Sequence, residues 1–133
     1  MPKMDVQAID WRKMEEMEHM SVEQLDKLPI GAIQLDEKGT ILRYNQTEGE
    51  LSGRNPGKVV GRNFFTEVAP CTNVQEFAGR FQEGFAQKSL NAIFPYRFDF
   101  QMAPIDVWVR LFYSRNTDSA WVFVSRRDDE SSD

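Results

Sequence analysis

Apolar residues recur along this chain with two periods, and each change of period marks an element. From Asp10 to Met20, Trp11, Met14 and Met17 or Glu18 form one apolar stripe at helical spacing, with Arg12, Lys13, Glu15 and Glu16 around it. Ser21 with Gln24 three residues on is a capping box for a second short helix, Ser21 to Leu28, which Pro29 stops. The period then drops to two. Gly31 to Leu35 and Ile41 to Asn45 read as strands, joined by the polar loop 36–40, whose glycine suits a left-handed position. Strict alternation in the second strand puts Leu42 and Tyr44 on one face, pointing inward. Between residues 46 and 70, Gly49, Gly53, Gly57, Gly61 and Pro56 leave room only for short helical turns wrapped over a pocket, with Phe64 and Phe65 beneath.

The second half repeats the contrast. Phe77, Phe81 and Phe85 recur every four residues and predict a helix over Glu76 to Lys88 with one buried ridge. Gly79 and Gly84 weaken that helix by roughly 1 kcal/mol each relative to alanine, which close packing against a sheet would explain. Phe94, Tyr96, Phe98 and Phe100 then alternate with Pro95, Arg97 and Asp99, and strands over Val107 to Tyr113 and Ala120 to Ser125 follow, with a turn from Ser114 to Ser119. The pattern predicts an α+β domain: a five-stranded, mostly antiparallel sheet with helices on one face. It divides into a helical cap (1–28), a core (29–127) and a disordered acidic tail (128–133).

Composition narrows the function classes. The 133 residues are enough for one ordinary domain, and 41% hydrophobic with 12% aromatic residues fill a core. A net charge of -5 argues against nucleic acid and anionic membrane surfaces as primary partners. The longest apolar run, Ala120 to Val124, is far short of a membrane span, and the polar start does not look like a secretory signal. A single cysteine forms no internal disulfide, so a reducing cytoplasm is the expected compartment. The expected state is a monomer or weak dimer.

Candidate chemistry concentrates between Tyr44 and Thr72. The window holds the only cysteine, Cys71, a phenol at Tyr44, a carboxyl at Glu48, a hydroxyl at Ser52 and a guanidinium at Arg54. That is the inventory needed to attach a small anionic aromatic group and to hold its charge out of water. Taken alone, Cys71 reads as a small buried hydrophobe. A catalytic thiol would need a base, and the only histidine, His19, lies in the cap; one cysteine and one histidine equally leave a structural metal unsupported.

These residues resemble a known family. The chain is similar, from about Leu28 to Arg127, to the photoactive yellow proteins, bacterial blue-light receptors that are a variant of the PAS sensor fold. The segments that carry the resemblance are 31–36, Tyr44-Asn45 with Glu48-Gly49, Ser52-Gly53-Arg54, Gly61 with Asn63-Phe64-Phe65, 68–72 and 98–102. The resemblance implies a para-coumaric acid (4-hydroxycinnamic acid) chromophore joined to Cys71 through a thioester. It implies that Tyr44 and Glu48 donate hydrogen bonds to the phenolate, that Ser52 supports Tyr44, that Arg54 covers the pocket, that Phe98 lines it, and that Met102 speeds thermal recovery. The family's type member has threonine at Ser52 and tyrosine at Phe100, changes that bear on colour or recovery rate. The cap diverges most.

The chemistry explains why such residues are needed. A phenol has a pKa of about 10, so keeping it ionised at neutral pH inside a protein requires a downward shift of at least about 3 units, or roughly 4 kcal/mol. Two charge-assisted hydrogen bonds of roughly 1.5 to 3 kcal/mol each are the right size. Glu48 donates only when protonated, so its pKa must be raised. Light would isomerise the chromophore, the proton of Glu48 would move to it, and release of the cap would carry the signal to a separate, unidentified signalling protein, since no kinase or DNA-binding segment is expected on the chain. Two other readings stand beside this receptor, which is not an enzyme: a chromophore-free PAS module that binds another ligand or a protein, and a thiol-dependent enzyme.

Overall fold

A computed structural model describes residues 5–99 and 104–127. A single 3-10 turn, Val6–Ala8, opens the cap, followed by helices α1 (Trp11–Glu18) and α2 (Val22–Asp26). Asp10 caps α1 through Lys13 N, and Ser21 with Gln24 forms both halves of the capping box on α2. Strands β1 (Gly31–Leu35) and β2 (Ile41–Tyr44) lead into α3 (Gln46–Ser52) and α4 (Pro56–Val59). Two wide turns, Phe64–Val68 and Gln75–Gly79, flank a 3-10 turn at Pro70–Thr72; α5 (Arg80–Gln87) and strands β3 (Asn91–Asp99), β4 (Pro104–Ser114) and β5 (Ser119–Arg126) complete the chain.

All four strand pairings are antiparallel, in the order β2-β1-β5-β4-β3. Pro95 sits on the edge strand β3, where a missing N–H is tolerated. The expected acidic tail, Phe100 and Met102 lie outside the described residues.

Helices cover both faces of the sheet, not one. On one face Ile33, Leu35, Val122 and Val124 pack with Phe64, Phe65, Phe77, Phe81 and Phe85. On the other, Ala32, Trp121 and Phe123 pack with Met14, Met17 and Leu25 of the cap, together with Val6 and Ile9. The alternation of strand side chains produces the division, since neighbours along β5 serve opposite cores. Within α1 the buried stripe is Met14 and Met17, whereas Trp11 is 57% exposed. At about 100° per residue Trp11 lies about 90° round the helix from the midpoint of the two methionines, which places it on the flank of the stripe.

Strand β2 departs from strict alternation. Leu35 pairs with Ile41 and Gln34 with Arg43, so Leu42 is an extra residue in a β-bulge. Leu42 is accordingly exposed, while Ile41 and Tyr44 both face the core that holds Phe64, Phe77 and Phe81. Tyr44 points inward as expected, but its companion is Ile41. The glycines of the Phe77–Phe85 stretch are likewise explained by other neighbours than the sheet: a Cβ on Gly84 would meet Leu90 at 2.6 Å, and one on Gly79 would meet the Gln75 side chain at 2.5 Å.

Candidate functional site

The site is assembled where β2 turns into α3. Asn45, between them, is the N-cap: its Oδ1 accepts from Glu48 N at 3.0 Å and from Ala32 N at 2.9 Å, and its Nδ2 donates to Leu25 O at 2.8 Å and Ile30 O at 3.0 Å. One buried amide thus joins the first turn of α3 to β1 and to cap helix α2. Tyr44, Glu48 and Ser52 are four residues apart, so the last strand residue and one face of α3 project toward the same core. Gly53, at φ +75, ends the helix in a left-handed conformation that a side chain would strain.

The Tyr44 hydroxyl and Ser52 Oγ are hydrogen-bonded at 2.8 Å, and Arg54 N donates to the same Ser52 oxygen at 3.3 Å. Burial, with the nearby Glu48 carboxyl, pushes the Tyr44 pKa well above its ordinary value; the Ser52 hydrogen bond and Arg54 oppose this only in part. Tyr44 is therefore a neutral phenol, whose O–H is able to donate. Glu48 is 2% exposed, and its Oε1 has no hydrogen-bond partner among the described residues. Burial pushes its pKa up to about 8, which keeps the carboxyl protonated at neutral pH.

Arg54 spans the site from the other side, with Nη2 donating to Val68 O at 2.9 Å. It connects the end of α3 to the segment that leads into Pro70–Thr72, where Cys71 sits half-buried against the core that holds Phe64, Phe77 and Phe81. Tyr96 donates from its hydroxyl to Cys71 O at 2.5 Å. The wholly buried Phe98 ring lies 5.6 Å from Tyr96 and 6.1 Å from Phe77, centroid to centroid.

The sequence candidates thus fall into two groups in one core, Tyr44–Glu48–Ser52 and Cys71–Phe98, with Arg54 bridging toward the second. Asn45 and Tyr96 were not among the candidates. The N-cap rule would have found Asn45, since an asparagine directly before a helix is its usual cap; nothing in the spacing points from Tyr96 to Cys71.

The arrangement offers two O–H donors inside an apolar core and, in the same core, a thiol that is not sealed off. An uncommitted acidic O–H in such a place requires an acceptor, because an unsatisfied buried polar group costs roughly 1–3 kcal/mol. A covalently held phenolate meets that requirement, so the residues fit the group implied by the resemblance.

Known proteins share the sequence and fold of this chain. Residues 19–127 match the PAS fold family. The chain is 54% identical over 110 residues to the photoactive yellow protein of Rhodothalassium salexigens, covering 83% of this chain and 88% of that protein. It is 49% identical over 108 residues to that of Halochromatium salexigens, covering 81% and 86%. Among solved structures, the photoactive yellow protein domain of the sensor histidine kinase Ppr from Rhodospirillum centenum superposes with a TM-score of 0.81 at 50% identity, over 84% of this chain and 98% of that one.

Proposed function

Since the chain belongs to the photoactive yellow protein family, we propose that it is a blue-light receptor that carries para-coumaric acid as a thioester on Cys71, and a sensor rather than an enzyme. The observation that carries this reading is the Glu48 carboxyl, buried, protonated and with an Oε1 that no described group engages. A domain that only packs or binds a partner has no use for an uncommitted acid in its core.

In this reading Tyr44 and Glu48 are the two donors to the phenolate oxygen, and Ser52 holds the Tyr44 hydroxyl in place. Arg54 reaches across to Val68 and covers the bound group, Phe98 is an apolar wall beside it, and Met102 is assigned the thermal recovery that the resemblance implies. The bound group would supply visible absorption and a light-driven change of shape. The chain supplies the response. Glu48 holds a proton at its carboxyl, and passing that proton to the phenolate oxygen would leave a carboxylate in an apolar core with no counter-charge, a state costly enough to disturb α3. Asn45 hands such a disturbance onward, because it caps α3 and holds Leu25 O of the cap with the same amide. Release of residues 1–28 would then present the signal to a signalling partner.

The test is chemical. The purified protein is treated with an activated para-coumaric acid derivative and examined by visible absorption and intact mass. One adduct on Cys71 and a visible band that bleaches reversibly in blue light are expected. No adduct, or one that stays colourless as a neutral phenol, would refute the reading and favour a chromophore-free PAS module. In the loaded protein, Glu48→Gln substitutes a weaker donor, so the band should move to the red; an unmoved band would remove Glu48 from the donor pair.

A further inference from the structure

The Glu48 carboxyl lies against strand backbone, and the residue beneath it has no side chain. An ideal Cβ built on Gly31 would stand 2.0 Å from Glu48 Oε1, 3.1 Å from its Cδ and 3.2 Å from its Cβ. Those distances mean that the carboxyl occupies the volume in which a side chain at position 31 would begin. Gly31 is buried, in β1, on the same face as Ile33 and Leu35, and that face meets α3.

The backbone does not require this glycine. Positive φ values among the glycines are confined to Gly39, Gly53 and Gly61, so Gly31 has a conformation open to any L-residue. In a strand a glycine costs stability by comparison with residues that pack. The requirement that remains is space, and the atom that uses it is the unpartnered Oε1 of Glu48.

We infer that Gly31 is the positioning residue for the Glu48 acid: its missing side chain is the recess that holds the carboxyl against β1, and so it determines how tightly Glu48 keeps its proton and where it presents that proton to a bound acceptor. The second half of this statement rests on the receptor reading above; the first half is a property of the unloaded chain. Recess and acid should therefore behave as a size-matched pair. Adding one carbon at Gly31 drives the carboxyl off the strand, and removing one carbon at Glu48 makes room again.

The experiment uses the full chain without chromophore, with the Glu48 carboxyl labelled with carbon-13 and titrated by NMR, in wild type, Gly31→Ala, Glu48→Asp and the double variant. In Gly31→Ala the displaced carboxyl loses part of the enclosure that excludes water, so its titration midpoint should fall by about one pH unit or more, at least a tenfold weakening of proton affinity. The double variant, with aspartate labelled instead, should recover a raised midpoint. An unmoved midpoint in Gly31→Ala, or a fall that aspartate does not reverse, overturns the inference. Should Gly31→Ala fail to fold, folding of the double variant supports the recess, and failure of both overturns it. In the loaded protein the same series is read as the position of the visible band, which should move in Gly31→Ala and return toward that of Glu48→Asp alone in the double variant. Absence of a visible band would count against the receptor reading and leave the NMR result standing.

Discussion

Replacing Glu48 by glutamine in the protein without chromophore should remove a pH dependence of stability whose size follows from the structure. The Glu48 pKa is raised from an ordinary 4.5 to about 8 by burial. An acid raised in this way binds its proton more tightly folded than unfolded, so its contribution is fully present below about pH 4.5, declines as pH rises, and is exhausted above about pH 8. The interval corresponds to about 5 kcal/mol at about 1.36 kcal/mol per pH unit, against about 5–15 kcal/mol for the whole stability of an ordinary domain. Asp106 and Asp118, lowered chiefly by hydrogen bonds from Arg97 and Lys88, carry the opposite sign, but their window lies below their ordinary 3.8 and does not overlap. The assay is urea unfolding of both proteins from about pH 5 to about pH 8, taking the difference at each pH so that other titrating groups cancel. Glu48→Gln should gain on wild type by about 4 kcal/mol across that range. Parallel curves would refute the reasoning, because they would mean that Glu48 ionises as readily in the fold as out of it.

Two further outcomes concern the ties between cap and sheet. Arg110 in β4 is buried and donates to Val6 O at 3.1 Å, to Ile9 O and to Asn91 Oδ1 at 3.1 Å, so Arg110→Met should weaken closure of the cap by about 2 kcal/mol, read as roughly 30-fold faster amide exchange over residues 6–18; unchanged exchange would show that the guanidinium is not the tether. Asn45→Ala removes four hydrogen bonds at one buried point and should cost about 3–5 kcal/mol in thermal or urea unfolding, whereas a loss below about 1 kcal/mol would mean that water replaces the amide.

Regular periodicity made much of this fold legible. The Phe77, Phe81 and Phe85 ridge, the capping box at Ser21 and Gln24, and the alternating strands each express a repeat written in neighbouring residues. The fold departs from the pattern where one residue breaks the repeat. Leu42 is apolar and two places before Tyr44, yet the bulge turns it outward, because pairing with β1 skips it. That the cap packs on the far face could not be read from its own stripe, which says that a helix buries Met14 and Met17 but not against which side of a sheet. The site divides in the same way. The four-residue spacing of Tyr44, Glu48 and Ser52 is local and visible, whereas the contacts of Gly31 with Glu48 and of Tyr96 with Cys71 join residues 17 and 25 positions apart, for which the sequence carries no spacing signal.

The alternation along β5 has a consequence for how such a chain varies. Trp121 and Phe123 belong to the cap side, Val122 and Val124 to the side of the site, and each residue answers to one core only. A substitution that reshapes the cap's seat therefore leaves the composition of the pocket unaltered, and one that tunes the pocket leaves the seat intact. What the two sides share is backbone, through the pairing of β5 with β1 and β4, and the one buried amide of Asn45. The two cores can thus vary as separate traits on a common support, with changes of strand geometry and of the Asn45 amide felt by both.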